Sequence, residues 1–367
     1  LCGINNRIKY IMPNYTTIDK HTDYFNTKLY NGTGSSNAQT GVGFQPDWLW
    51  IKNRGGSQRH NLLDAVRGVT KRISSNTSDA EATNSYMLSS FDSDGFTLGT
   101  DSDSYGTNTN GSTYVAWNWK AGTTGSGTTT GSGTGKAYSY SVSTTAGFSI
   151  VKYLGNGTAG HTIPHHLGAT PGLIMVKNLD TTDDWVVYHH KNTDAPETDY
   201  LTLNSTAATG DSSGVWNDAS PDSTAFTVGT AASTNGSDNN LIAYCFTEKV
   251  GYSKFGSYLG NGSGQGSFIY TGFKPAWVMI KRTNNTTNWG INDTARDINS
   301  TYGNDASIYA NTNDAETTSS SLNIDLLSNG MTLRSSNSSF NDGGSSFVYM
   351  AFGQSIVGSN NVPCTAR

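Results

Sequence analysis

Gly272-Phe273-Lys274-Pro275-Ala276-Trp277-Val278-Met279-Ile280-Lys281 is the stretch whose reading decides the fold. Proline supplies no backbone donor and fixes φ, so Pro275 suits the first residue of a strand and not its middle. The run behind it is apolar on both alternating faces, as expected of a strand buried on both sides. A helix fits poorly, because the run is short and polar, turn-forming residues follow. The stretch recurs as Gly43-Phe44-Gln45-Pro46-Asp47-Trp48-Leu49-Trp50-Ile51-Lys52 and, more weakly, as Ala169-Thr170-Pro171-Gly172-Leu173-Ile174-Met175-Val176-Lys177.

Other landmarks recur around it in a fixed order. An aromatic with a Gly/Asn turn precedes each copy: Tyr30-Asn31-Gly32, Tyr153-Leu154-Gly155-Asn156-Gly157 and Tyr258-Leu259-Gly260-Asn261-Gly262. Gly95-Phe96-Thr97-Leu98, Ala225-Phe226-Thr227-Val228 and Gly330-Met331-Thr332-Leu333 follow. A closing strand ends each unit: Tyr114–Trp119, Leu241–Phe246 and Phe347–Phe352. Pro46 and Pro171 stand 125 residues apart, Pro171 and Pro275 104 apart. A period near 100 residues is too long for a solenoid and matches tandem β-sandwiches. Short apolar runs separated by Asn-Gly, Asp-Gly and Ser-Gly turns support the same class, and only Asn61–Arg72 offers a short helical candidate.

The expectation is therefore an all-β chain of three tandem antiparallel β-sandwich modules of jelly-roll or concanavalin-A-like type. Residues 1–23 read as an N-terminal docking arm, 24–121 as module 1, and 137–250 as module 2. Residues 251–367 form module 3 with a C-terminal tail. The Gly/Ser/Thr tract 122–136 reads as a flexible linker. Modules 2 and 3 abut at Glu248–Lys254 and should pack as a rigid pair.

Composition bounds the function. The chain has 367 residues, 42 of them Gly, with 14% charged and 11% aromatic residues, which gives solubility through hydroxyls and amides and still supplies cores. A net charge of −5 and the absence of a Lys/Arg patch argue against a nucleic-acid partner. No window approaches 18 apolar residues, so no membrane span is expected. Cys2, Cys245 and Cys364 lie far apart without CxxC spacing; the residues favour free thiols and leave a Cys2–Cys364 bridge open. The chain opens on Leu1 without an initiator Met or a signal pattern, so the expectation is a start inside a longer product.

Several motifs invite chemistry. Asp64-x-x-Arg67 and Asp293-x-x-Arg296 recur, each followed by Asn-Thr-x-Asp-Ala-Glu at 76–81 and 311–316; module 2 carries His189 and Asn192 instead. Carboxylates so placed suggest a ligand or calcium, but the planar Arg fork suits a structural ion-pair clamp that fixes a long loop, and that reading is preferred. Asp92-Ser93-Asp94-Gly95 with Asp101 and Asp103 resembles a calcium loop, but the acidic set does not recur, which favours a plain turn. His161, His165, His166, His189 and His190 cluster in module 2 without a recognised ligand spacing, so no metal or other cofactor is expected. The strand tryptophans are replaced by other apolar residues in module 2, the sign of a core. Trp216, which has no counterpart, and Tyr302 are the candidate exposed aromatics for ligand binding. No G-x-S-x-G, HExxH, P-loop or carboxylate pair is found, and no catalytic residue is assigned.

Gly43–Arg54, Leu63–Gly68, Phe91–Gly99, Tyr114–Gly122, Gly251–Tyr258, Gly272–Arg282 and Val362–Arg367 together resemble structural proteins of tailed phages, marine ones especially, built from repeated concanavalin-A/laminin-G-like modules. The resemblance spans about Tyr24 to Arg367. It implies a non-enzymatic virion protein, a tail fibre or appendage that binds host-surface glycans through loops. It also implies a homo-oligomer, with a trimer the usual state, and other virion proteins as partners. A capsid or shell decoration protein is the alternative, and a surface-polysaccharide depolymerase a third reading.

Overall fold

The computed structural model describes residues 16, 18, 20–100, 106–296, 305–319 and 323–353. The strands form antiparallel sheets in three sets that follow the sequence repeat. In the first, Phe25–Asn31, Thr113–Trp119, Trp48–Asn53 and Asn61–Asp64 lie side by side in that order, and a smaller sheet holds Asn37–Gln39, Gly95–Leu98 and Leu88–Asp92. The third set repeats this with Ser253–Leu259, Ser346–Gly353, Pro275–Arg282 and Gly290–Asp293, extended by Asp305–Tyr309 and Thr317–Ser319. Its smaller sheet is Phe268–Tyr270, Gly330–Leu333 and Ile324–Leu327. The second set contains the same core order, Phe148–Leu154, Asn240–Phe246, Leu173–Asn178 and Val186–His189.

Alternation explains why the Pro-led strands are apolar throughout. Leu49 and Ile51 pack into the core of their own module, as do Ile174 and Val176, and Val278 and Ile280. The residues between them, Trp48 and Trp50, Leu173 and Met175, Trp277 and Met279, point the other way into one core shared by all three modules. Successive strand side chains face opposite sides, so each large sheet is buried on both faces. The closing strands behave alike: Trp117 and Trp119, Tyr244 and Phe246, Met350 and Phe352 join the shared core. There Trp48 lies 4.4 Å from Trp119 and 4.6 Å from Tyr244, centroid to centroid, and Trp119 lies 5.6 Å from Trp277. The modules are thus not a string. Their large sheets close around a common centre, and module 1 is packed as firmly as the expected pair of 2 and 3.

Two local expectations are corrected. The tract 122–136 is not a linker. Thr123–Thr128 pairs along its length with Ala137–Ser143, and Thr130–Gly131 pairs with His161–Pro164 in the smaller sheet of module 2. A ladder needs only backbone groups, and the missing side chains make room for aromatic neighbours. A Cβ on Gly125 would stand 2.5 Å from the Tyr140 hydroxyl, and one on Gly127 2.7 Å from that of Tyr138. Within Asn61–Arg72, residues Asn61–Asp64 form a strand and not a helix, because Leu62 and Leu63 face opposite cores. The α-helices among the described residues are Ser213–Trp216 and Ala232–Asn235, each four residues long, and no helix among them is long and apolar enough to cross a membrane.

Candidate functional site

The Asp-x-x-Arg motifs build joints between modules. The Asp64 and Arg67 side chains are buried and meet at 2.5 Å; the Arg67 fork also reaches Glu81 at 3.3 Å and donates to the Leu62 carbonyl at 3.0 Å. Burial alone would lower the Arg67 pKa, but the adjacent negative charge, that of Asp64 above all, holds it above its ordinary value. The second oxygen of the joint comes from another module: the Tyr244 hydroxyl donates to Asp64 at 2.7 Å. Asp293 and Arg296 repeat this at 2.6 Å, with Glu316 at 3.3 Å and the Ile291 carbonyl at 2.9 Å. Here the outside donor is the Trp117 indole, at 2.9 Å from Asp293. In module 2 His189 stands in the aspartate's place and bonds the Tyr349 carbonyl at 3.1 Å. Each module's closing strand therefore docks on the motif position of one neighbour, and the three contacts form a ring.

Further equivalent bonds follow the same ring. His60 bonds the Tyr309 carbonyl at 3.0 Å, Trp185 donates to the Ser74 carbonyl at 2.8 Å, and Trp289 donates to the Thr202 carbonyl at 2.9 Å. The backbone N–H groups of Glu81, Thr209 and Glu316 donate to the carbonyls of Leu179, Thr283 and Arg54. Lys52, Lys177 and Lys281, which end the Pro-led strands, are fully buried, and their ammonium groups donate to loop carbonyls. Burial lowers each of them to about 8. Within these seams Asp64 with Arg67, and Asp293 with Arg296, are buried ion pairs. Their role as seams between modules lies beyond the sequence, since nothing in one copy of the motif names its partner.

Trp216 is not an exposed aromatic. It ends the helix Ser213–Trp216 and is 1% exposed, edge-on to Tyr188 at 6.0 Å and Phe226 at 6.3 Å. Ser212 caps that helix by accepting from Gly214, and Asn217 at φ 58° turns the chain, which folds the indole onto the module 2 core. The insertion that lacks a counterpart is therefore a lid on a sandwich. Tyr302 lies outside the described residues, as do Asp101, Asp103, Cys2, Cys364 and residues 1–15. Cys245 is a free, buried thiol pushed up by burial.

The calcium-like loop is a turn. Asp94 accepts from the backbone of Gly41 at 2.9 Å and Gly43 at 2.7 Å, and Asp92 accepts from Ser90 and Thr97. The histidines of module 2 have separate protein partners: His161 bonds Thr129 and Asn235, His165 the Asp222 carbonyl, and His166 stacks on Tyr140 at 3.8 Å. Among the described residues no three His, Cys, Asp or Glu side chains gather as a metal site.

The open feature is a groove of about 450 Å³ between modules 2 and 3. Lys191, Thr193 and Asp194 form one wall, and Ser257 and Leu259, on the edge strand Ser253–Leu259, form the other. His190, which also lines the groove, bonds the Phe255 carbonyl at 2.6 Å, and Glu248 accepts from the Phe255 N–H at 2.9 Å. The groove offers backbone donors and acceptors and a few polar side chains, a surface for binding. Exposed aromatics lie elsewhere: Tyr86 in a loop of module 1, and Phe268 and Tyr270 on an edge of module 3.

No curated protein and no solved structure matches the chain. A family profile does, described as a domain of unknown function (DUF7483), over residues 20–355. The match runs through all three modules as one unit, as their shared core requires, and the chain belongs to this family.

Proposed function

We propose that the protein is a non-enzymatic structural component of a phage virion, a tail fibre or appendage whose closed body presents loops to host-surface glycans. The observation that carries this reading is the engagement of the recurrent Asp, Arg, Lys and His groups in seams between modules, at the centre of a rigid body. The outer surface is left to Asn, Ser, Thr and Gly loops, which hydrogen-bond sugars weakly per site and gain through multivalency. The faces through which three separate modules would associate are filled within one chain. Assembly into the homo-oligomer of this reading, and contacts with other virion proteins, therefore use outer surfaces. Tyr86, exposed in its loop, replaces Trp216 as the aromatic on which a sugar ring would stack.

Glycan-array binding of the intact chain, with Tyr86→Ala beside it, tests the receptor reading. Binding weakened by the substitution supports it; a blank array with a correctly folded protein removes it. A capsid or shell decoration protein is the second reading, favoured by the uncovered apolar edge of module 3, and an array blank combined with binding to purified capsids would install it. A depolymerase needs two carboxylates about 5–10 Å apart in a groove; Asp194 is the carboxylate that lines the groove between modules 2 and 3.

A further inference from the structure

The three modules treat one pair of strand edges differently. In each, the strand that opens the large sheet and the first strand of the smaller sheet end their sheets unless something is added. In module 2 something is added: Ala137–Ser143 pairs with the opening strand Phe148–Leu154, and Thr130–Gly131 pairs with His161–Pro164. In module 1 the edge is guarded by Lys28, which reaches across to the Thr40 carbonyl at 2.8 Å. Charged lysines on edge strands block further pairing. In module 3 no described strand is added, and the lysine of its edge strand, Lys254, sits at the strand's start and is drawn to Glu248 at 2.9 Å. Gly256 stands where Lys28 stands in module 1, and no described strand lies outside Ser253–Leu259 or Phe268–Tyr270.

The backbone of that edge is turned outward. Tyr252 and Gly260 bond to the closing-strand side, to Gly353 and Ser345. Phe255 faces away from it and bonds His190 and Glu248. Alternation then turns the N–H and C=O of Ser257 and Leu259 into the groove. The residue of module 2 equivalent to Ser257, Lys152, is paired with Ser139. The side chains agree. Phe268 and Tyr270 are 48% and 61% exposed, where module 1 has Ala38 and Thr40 and module 2 has Thr162 and Pro164. Leu259, on the edge strand, is 66% exposed. An edge with outward backbone groups and exposed apolar side chains, which no described strand covers, is a site for strand addition.

We propose that the Ser257–Leu259 end of this edge strand, on the module whose smaller-sheet edge exposes Phe268 and Tyr270, receives an extended strand of a partner polypeptide in which aromatic and hydroxyl residues alternate. The template for the occupant is Ala137-Tyr138-Ser139-Tyr140-Ser141-Val142-Ser143, which covers the matching edge of module 2. Its tyrosines pack toward the smaller sheet and its serines are small enough for the inner side. The occupant comes from another protein, because this segment of a second copy is already paired in its own module. The inference rests on the fold alone and is independent of the virion reading.

The test uses the intact chain and a synthetic peptide of residues 135–143, with a scrambled peptide as control. Hydrogen exchange should slow at Ser257 and Leu259 when the peptide is added, and not at Thr27 or Leu29 on the module 1 edge. Ser257→Pro removes the outward N–H, and Leu259→Lys adds a guarding charge at an exposed position; either should weaken peptide binding at least tenfold while the thermal transition stays in place. If Ser257→Pro fails to fold, Leu259→Lys carries the test. Absence of protection, or binding indifferent to both substitutions, overturns the proposal. So does a concentration-dependent dimer that protects Ser257 without peptide, since the edge would then belong to a second copy.

Discussion

Trp117, on the closing strand of module 1, donates its indole N–H to the Asp293 carboxylate of module 3 at 2.9 Å. Tyr244 of module 2 stands in the same relation to Asp64 of module 1, at 2.7 Å. In both joints the aspartate is buried and neutralised by the arginine three residues on. Removing one partner of a buried pair leaves an uncompensated charge, which costs about 3–5 kcal/mol. Arg296→Ala should therefore lower the unfolding free energy of the whole chain, read from urea unfolding, by that amount. Trp117→Phe, which deletes one donor to a charged group, should cost about 1.5–3 kcal/mol. A loss under about 1 kcal/mol for Arg296→Ala would mean that Asp293 is not held as described.

Module 2 closes the ring with different chemistry. His189 and Asn192 replace Asp and Arg, His189 bonds the Tyr349 carbonyl, and Met350, at the strand position of Trp117 and Tyr244, has no polar hydrogen to give. His189→Asp alone should bury an unpaired carboxylate and destabilise strongly. Adding Asn192→Arg and Met350→Tyr supplies the other two parts of the joint. The triple variant should recover at least half of the loss, a coupling that a cycle of urea midpoints measures. Additive effects would show that the three positions do not form a joint.

The strands, their burial on both faces and the Arg clamp were legible because each is local: alternation, a proline boundary and an i,i+3 pair are visible in a few residues. The closure of the three modules was not, although its trace was present. A sandwich strand that faces water on one side should alternate apolar and polar residues, and Trp48-Leu49-Trp50-Ile51 does not. The second apolar face belonged to the neighbours. Trp216 differs from its expectation for a related reason: an insertion peculiar to one module reads as surface, while its indole fills a space in the core of that module. The groove depends on which edges remain uncovered, a property of the assembled sheets.

Acid should loosen the seams before it unfolds the sheets. Burial holds His60 and His189 at about 3, and each ring is fixed at both nitrogens. Nδ1 of His60 accepts from the Trp50 indole at 2.7 Å, and Nδ1 of His189 from the Lys191 backbone at 3.1 Å. A proton there displaces an accepted hydrogen bond. Between about 3 and the ordinary value near 6.5 the unfolded chain binds more protons than the folded one, so stability falls as pH falls through that window. The contribution is on the order of 5 kcal/mol per histidine at most. Urea midpoints at pH 7 and pH 4.5 should differ, and His60→Gln should reduce the difference. An unchanged pH dependence in that variant would reject His60 as a source.

Gly131 distinguishes a strand from a linker. It sits at φ 85°, and a Cβ there would stand 2.3 Å from the Gly160 carbonyl oxygen and 2.4 Å from the Thr162 hydroxyl. In a flexible tether Gly→Ala is neutral or stabilises by about 0.4–1 kcal/mol, because it restricts only the unfolded chain. At a left-handed position facing a backbone oxygen the same change forces strain, on the order of 1–3 kcal/mol. Gly55, with a negative φ and its nearest neighbour 3.8 Å away, serves as the control, and Gly55→Ala should leave stability nearly unchanged. Gly131→Ala should lower the thermal midpoint and speed hydrogen exchange in His161–Pro164, the strand that Thr130–Gly131 covers. Equal midpoints for the two variants would return residues 122–136 to the role of a tether, and with it the module 2 edge to an uncovered state.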